Sequence, residues 1–261
     1  MEQHFNTPSE VIDTNMKAGE GKAHLPLGKM ILLGIMAGAF IALGGATSST
    51  AAHAIDNVGL ARFVAGIIFP VGLMIIVFVG GELFTGNCLI VMDVVGKKVT
   101  WFECIRNLIV VYFSNLIGAL IIDTLIYFSG NLDYTGGLLG AYAIKVAVGK
   151  VGISPLKGIT SGILCNILVC IAILMAVAAT DIVGKVWAIF FPIMAFVVGG
   201  FEHCVANMFY IPVGMMAAQN PVYVAKAQEA YGLTAEQIQG LTILHLSLIH
   251  ISEPTRHAQI S

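Results

Sequence analysis

An acid, an imidazole and a carboxamide sit together at Glu202-His203-Cys204-Val205-Ala206-Asn207. They follow the double glycine Gly199-Gly200, which closes an apolar run starting at 186. A second stretch is built alike: Gly80-Gly81-Glu82-Leu83-Phe84-Thr85-Gly86-Asn87, after the apolar run 63–79. Titratable groups at such places are costly and face a cavity or a partner. Their chemistry reads as polar binding rather than turnover. No HExxH, GxSxG or paired-histidine haem pattern accompanies His203 and Glu202, and a membrane-embedded enzyme is therefore the disfavoured rival. Cys204 adjoins His203 without a second histidine in a comparable run, so neither a metal nor a cofactor is expected.

The composition says what must position these residues. Of 261 residues, 57% are hydrophobic and 11% are charged, against about 25% charged in soluble domains. With a mean hydropathy of +0.89, the chain reads as an integral membrane protein. Its 29 glycines suit close helix–helix approach. The formal charge of -2 comes without a basic block, so nucleic acid is not an expected partner. The five cysteines form no CxxC pair, and no cleavable signal peptide opens the chain.

Along the chain, residues 1–28 read as an N-terminal cytoplasmic segment with a short helix near 8–19. Spanning helices are predicted over about 29–52, 101–128 and 158–179. Runs 63–79 and 186–201 each stop at a double glycine, which predicts helices broken within the membrane. Residues 129–157 read as a turn-rich connection carrying Lys145, Lys150 and Lys157, and 211–231 as a weaker helical piece. The lysine and arginine bias is small and puts the N-terminus inside. Interrupted segments at matching places of two halves point to an inverted repeat with a midplane site.

Beyond Leu233 the chain offers no apolar span of about 20 residues. The string Leu246-Ser247-Leu248-Ile249-His250-Ile251-Ser252-Glu253-Pro254-Thr255-Arg256 resembles the in-frame translation of a sequencing adapter. The expectation is an incomplete channel domain over 29–245, a non-native tail over 246–261, and a sixth helix missing or replaced.

Three segments carry a family resemblance. The stretches Phe78–Gly86, Gly162–Ala172 and Gly200–Met208 resemble signatures of the formate/nitrite transporter family. The resemblance implies an all-α, aquaporin-like inverted-repeat bundle with broken second and fifth helices. It implies a homopentamer in a prokaryotic inner membrane, with one pore per protomer. The implied permeants are small monovalent anions: formate, nitrite or hydrosulfide. It places His203 and Thr85 at the pore centre with Asn166 and Asn207 beside them. Phe69 and Leu73 match one apolar constriction, Leu83 and Phe196 the other, and Lys150 matches an anion-attracting vestibule residue. Gly80, Gly81, Glu82, Gly86, Gly199, Gly200 and Glu202 are assigned to holding the breaks.

The residues themselves keep blander readings beside these. His203 could be a buried histidine bonded to a backbone carbonyl, and Thr85 could cap the half-helix that follows it. The four constriction residues could be ordinary core. Glu82 and Glu202 read as structural, because a carboxylate facing an anion path repels it; each is expected to meet freed backbone N–H groups or a lysine. Phe69 and Leu73 share a helix face at i,i+4. Phe196 and His203 share one at seven apart if the helix continues that far. A water- or glycerol-like channel is the architectural rival, but the aquaporin Asn-Pro-Ala pair is absent, since Met208 follows Asn207.

Overall fold

The structure, a computed structural model, describes residues 5–241. The expectations for 246–261 and for the sixth helix lie outside the described residues.

Helix α1 (Pro8–Ala23) opens with a capping box in which Thr7 and Glu10 satisfy each other's backbone N–H groups. Helix α2 (Leu27–Ala52) buries a stripe of small residues that includes Gly34, Ala37, Gly38, Ile41 and Gly45. The second segment runs as α3 (Val58–Ile68) and α4 (Val71–Val79), joined by helical Phe69 and Pro70. Pro70 lacks the N–H that would continue the ladder, which explains the joint.

The chain then leaves helical geometry at Gly80, whose φ of 100° and ψ of 143° suit a residue without Cβ. It resumes as α5 (Phe84–Asn87), a 3-10 turn (Cys88–Ile90) and α6 (Val91–Val95). Helix α7 (Trp101–Phe128) follows behind the capping box of Thr100 and Glu103. Helices α2 and α7 cross so closely that a Cβ on Gly38 would meet the backbone of Asn115, and one on Gly118 would meet the backbone of α2. This pair shares the most extensive helix–helix contact of the chain.

Helix α8 (Tyr134–Val151) corrects the reading of 129–157 as a turn-rich connection. Only Thr135, Gly136 and Gly137 are left-handed; the rest is helical. Its small residues made it look like a loop, yet they are what lets it pack. Gly140 lies under the ring of Tyr223, and Gly214 lies against Ala143 and Ala147.

The second half continues with α9 (Pro155–Ala178) and α10 (Ile182–Gly199). Gly200 at φ 70° ends α10 in the left-handed conformation, and Phe201 N–H donates back to Phe196 O at 3.0 Å. After the break come α11 (Cys204–Ala217), α12 (Pro221–Tyr231) and α13 (Ala235–Gln239). The expected weak helix over 211–231 is thus two helices. The first starts at Cys204, directly after His203, and Pro212 is accommodated inside it.

Among the described residues, five segments are long and apolar enough to cross a membrane: Leu27–Ala52, Val58–Val79, Trp101–Phe128, Pro155–Ala178 and Ile182–Gly199. Two shorter apolar pieces, Phe84–Val95 and Cys204–Ala217, follow the two breaks. Among the described residues the architecture is helical, and its one bridge pairs Phe5 with Ala179. That bridge and the bonds from Asn6 to Val177 O and Ala178 O tie α1 to the end of α9.

Candidate functional site

The two breaks bring their polar residues together. Thr85 Oγ1 lies 3.2 Å from His203 Nε2, and both side chains are buried. His203 is the N-cap of α11, and its Nδ1 accepts the Ala206 N–H at 3.0 Å. A backbone N–H can only donate, so Nδ1 is an acceptor and a neutral ring carries its hydrogen on Nε2. The imidazole therefore donates to Thr85 Oγ1, which leaves the threonine O–H free to donate elsewhere. Thr85 does not cap its half-helix. The N-cap there is Leu83, which offers no side-chain acceptor.

Aromatic and apolar side chains surround the pair. The rings of Phe196 and His203 stack with centroids 5.6 Å apart. Helix α10 stops at Gly199, so a shared helix face is not the cause; the left-handed turn at Gly200 swings the chain back instead. Phe69 meets Phe196 edge-on at 5.6 Å. Phe69, Leu73, Leu83 and Phe196 are each no more than 3% exposed. Phe196, matched with Leu83, thus makes its ring contacts with Phe69 and His203.

Glu82 and Glu202 are held in matching brackets. Glu82 Oε2 accepts from Lys22 Nζ at 3.3 Å and from Asn87 Nδ2 at 2.6 Å. Glu202 Oε2 accepts from Lys150 Nζ at 2.8 Å and from Asn207 Nδ2 at 2.9 Å. In both brackets the asparagine lies five residues after the glutamate. Both lysines stand five residues ahead of a long helix, Lys22 before Leu27 and Lys150 before Pro155. In the sequence Lys22 looks like one more charge of a polar segment. Its pairing with Glu82, 60 residues on, appears only when the fold brings the two together.

The brackets differ in completeness. Asn87 Oδ1 also accepts from Lys22 at 2.9 Å, and Asn87 Nδ2 donates to Asn107 Oδ1 at 2.8 Å. Asn207 Oδ1 has no partner among the described residues, nor has Asn166 Oδ1. Asn166, on α9, has Cys88 as a hydrogen-bonding neighbour. Lys150 Nζ also lies 5.3 Å from the centroid of the Tyr210 ring. Gly86 has no room for a Cβ beside Ile173, and Gly81 packs against Ala37 and Ile76. No cluster of three or more histidine, cysteine or acidic side chains suited to a metal occurs among the described residues.

The profile of a family described as formate/nitrite transporter matches residues 9–243. A probable formate transporter of Methanothermobacter thermautotrophicus is 37% identical over 233 residues, covering 82% of this chain and 85% of its own. A formate channel of Haemophilus influenzae is 38% identical over 214 residues, covering 81% of this chain and 75% of its own. Among solved structures, a pentameric formate channel with formate bound superposes with a TM-score of 0.73 at 31% identity, covering 86% of this chain and 91% of that one.

Proposed function

The chain belongs to the formate/nitrite transporter family, and we propose that it conducts small monovalent anions of weak acids, formate foremost, with nitrite and hydrosulfide as further permeants. The observation that carries this reading is the buried 3.2 Å contact of Thr85 with His203, set among Phe69, Leu73, Leu83 and Phe196. We also propose the assembly and placement that go with it: a homopentamer in a lipid bilayer, the prokaryotic inner membrane, with the N-terminus cytoplasmic and residues 29–245 as the channel domain. The formate channels among its relatives support the pentamer and the permeant.

The mechanism follows from the residues. Lys150, and Lys22 in the matching bracket, give each approach a positive group that raises the local concentration of anions. Each lysine is partly neutralised by its glutamate, so it attracts an anion without trapping it. Between the apolar side chains a charged permeant loses water at a cost of many kcal/mol. The Thr85 O–H, freed by the His203 donor, replaces part of that water. Desolvation favours the neutral form of a weak acid, so the permeant takes a proton from the water of the vestibule it leaves, crosses as the neutral acid, and releases that proton to the water on the far side. His203 enters this step as a hydrogen-bonding group, because Ala206 N–H occupies its second nitrogen.

The test is flux through proteoliposomes holding the full-length protein, with formate, nitrite and hydrosulfide measured in parallel. Saturable, pH-dependent formate flux is the expected result. Water or glycerol permeability without anion flux would leave the neutral-solute channel as the better reading.

A further inference from the structure

Both half-helices that follow the breaks begin at a residue in extended conformation, and the two residues differ in kind. His203 caps α11 itself through the Ala206 N–H. Leu83 occupies the N-cap of α5 at φ -102° and ψ 124° and has no acceptor to offer. Asn115, on α7, supplies what Leu83 lacks. Its Oδ1 accepts the Phe84 N–H at 3.0 Å, while its Nδ2 donates to Glu82 O at 2.9 Å and Gly34 O at 2.7 Å.

The carboxamide thus grips the residue before Leu83 and the residue after it. Asn115 is fully buried, and its own backbone is pressed against Gly38 of α2. The clamp therefore sits where α2 and α7 have no slack, and the gripped Leu83 can shift only if Asn115 does. An apolar residue at an N-cap normally weakens a helix start; a cap supplied from a neighbouring helix removes that obstacle and lets a leucine stand there.

We propose that Asn115 is the positioning residue that sets the width of the constriction at Leu83, and through it the size of anion admitted. The proposal rests on the permeation reading above. Loosening the clamp lets Leu83 recede, which favours a permeant one methyl group larger more than it favours formate. Discrimination of one methyl or methylene group by a fixed apolar site is worth about tenfold or more.

The experiment compares acetate and formate flux in proteoliposomes of the full-length protein with those of Asn115→Ser and Asn115→Asp. Serine is too short to span residues 82 and 84. Aspartate keeps an acceptor for Phe84 N–H but loses the paired amide donors. Leu83→Ala, which widens the constriction directly, serves as the reference. The acetate-to-formate ratio is expected to rise about tenfold in Asn115→Ser, towards the Leu83→Ala value, and less in Asn115→Asp. An unchanged ratio in an assembled variant that merely conducts less of both anions overturns the proposal. Failure of both variants to assemble, with Leu83→Ala assembling normally, makes Asn115 a folding residue only and also overturns it. Absence of formate flux in the unsubstituted protein would instead refute the permeation reading.

Discussion

Lys22 and Lys150 hold equivalent carboxylates: Lys22 Nζ lies 3.3 Å from Glu82 Oε2, and Lys150 Nζ lies 2.8 Å from Glu202 Oε2. Each glutamate follows a double glycine, and each also accepts from an asparagine five residues on. The two pairs differ in solvent access. The Lys150 and Glu202 side chains are 17% and 16% exposed, whereas Lys22 is 34% exposed beside a 7% exposed Glu82.

Removing one partner of a half-buried pair strands the other charge, at a cost between the roughly 1 kcal/mol of a surface pair and the roughly 3 kcal/mol of a buried one. Lys150→Met is therefore expected to lower the thermal midpoint of the solubilised protein clearly. Lys150→Met with Glu202→Gln should recover most of that loss, because no buried charge is left unpaired. The double variant should not recover the wild-type salt dependence of anion flux, which needs the positive group itself. Melting curves and flux at low and high salt read the two effects separately. Equal stability of the single and double variants would contradict the paired-charge account.

The crossing of α2 and α7 makes a prediction of opposite signs. Gly38→Ala places a methyl group against the Asn115 backbone and should destabilise by about 1–3 kcal/mol. Gly21→Ala, on α1, meets nothing within 4 Å. There alanine's better helix propensity should stabilise by up to about 1 kcal/mol. Thermal melts of the two variants side by side check the pair of signs.

His24 predicts a pH dependence outside the membrane-spanning segments. Its Nδ1 lies 2.8 Å from Glu20 O and its Nε2 3.1 Å from Glu103 Oε1, so both nitrogens face acceptors. Only the doubly protonated ring satisfies both. The Glu20 carbonyl first, and Glu103 next, raise the His24 pKa above its usual 6.5. A pKa raised on folding means that the contribution is fully present below the unfolded value and fades as pH climbs through the folded one. The link from the end of α1 to α7 should thus weaken as pH rises from about 6.5 upward. Protection factors of α1 amides, corrected for the intrinsic quickening of exchange with pH, are expected to fall across that range in the wild type and to stay level in His24→Gln.

Much of this arrangement is legible in the residues. Double glycine followed by glutamate marks both breaks, because only glycine adopts the positive φ of Gly80 and Gly200 without strain. Helix α7 announces itself through Thr100 and Glu103, whose capping box lies in plain sequence. Helix α8 does not, since the glycines that let it pack against Tyr223 and α11 read as loop signals. The Pro70 joint is a local effect of the missing N–H, hidden by the unbroken apolar run around it; the start of α11 at Cys204 is set by the fold that brings the chain back after Gly200.

For the site, the sequence supplies residue types and spacing, and the resemblance supplies roles. Neither shows that His203 is pinned by Ala206, that Lys22 repeats Lys150, or that Asn115 caps a helix to which it does not belong. Those relations join residues far apart in the chain, as the 118-residue separation of Thr85 and His203 illustrates. Asp123 shows the converse. It is fully buried with no partner among the described residues, a need that its apolar surroundings announce without naming what meets it.

The central claim is that permeation passes the Thr85–His203 contact, and His203→Phe tests it most directly. The substitution keeps an aromatic ring next to Phe196 but removes the donor to Thr85 and the cap of α11. In proteoliposomes of the full-length protein, formate flux in this variant is expected to fall sharply at every pH, because the polar group that replaces lost water is gone. A His203→Phe protein with wild-type formate flux and a wild-type pH profile would contradict the account.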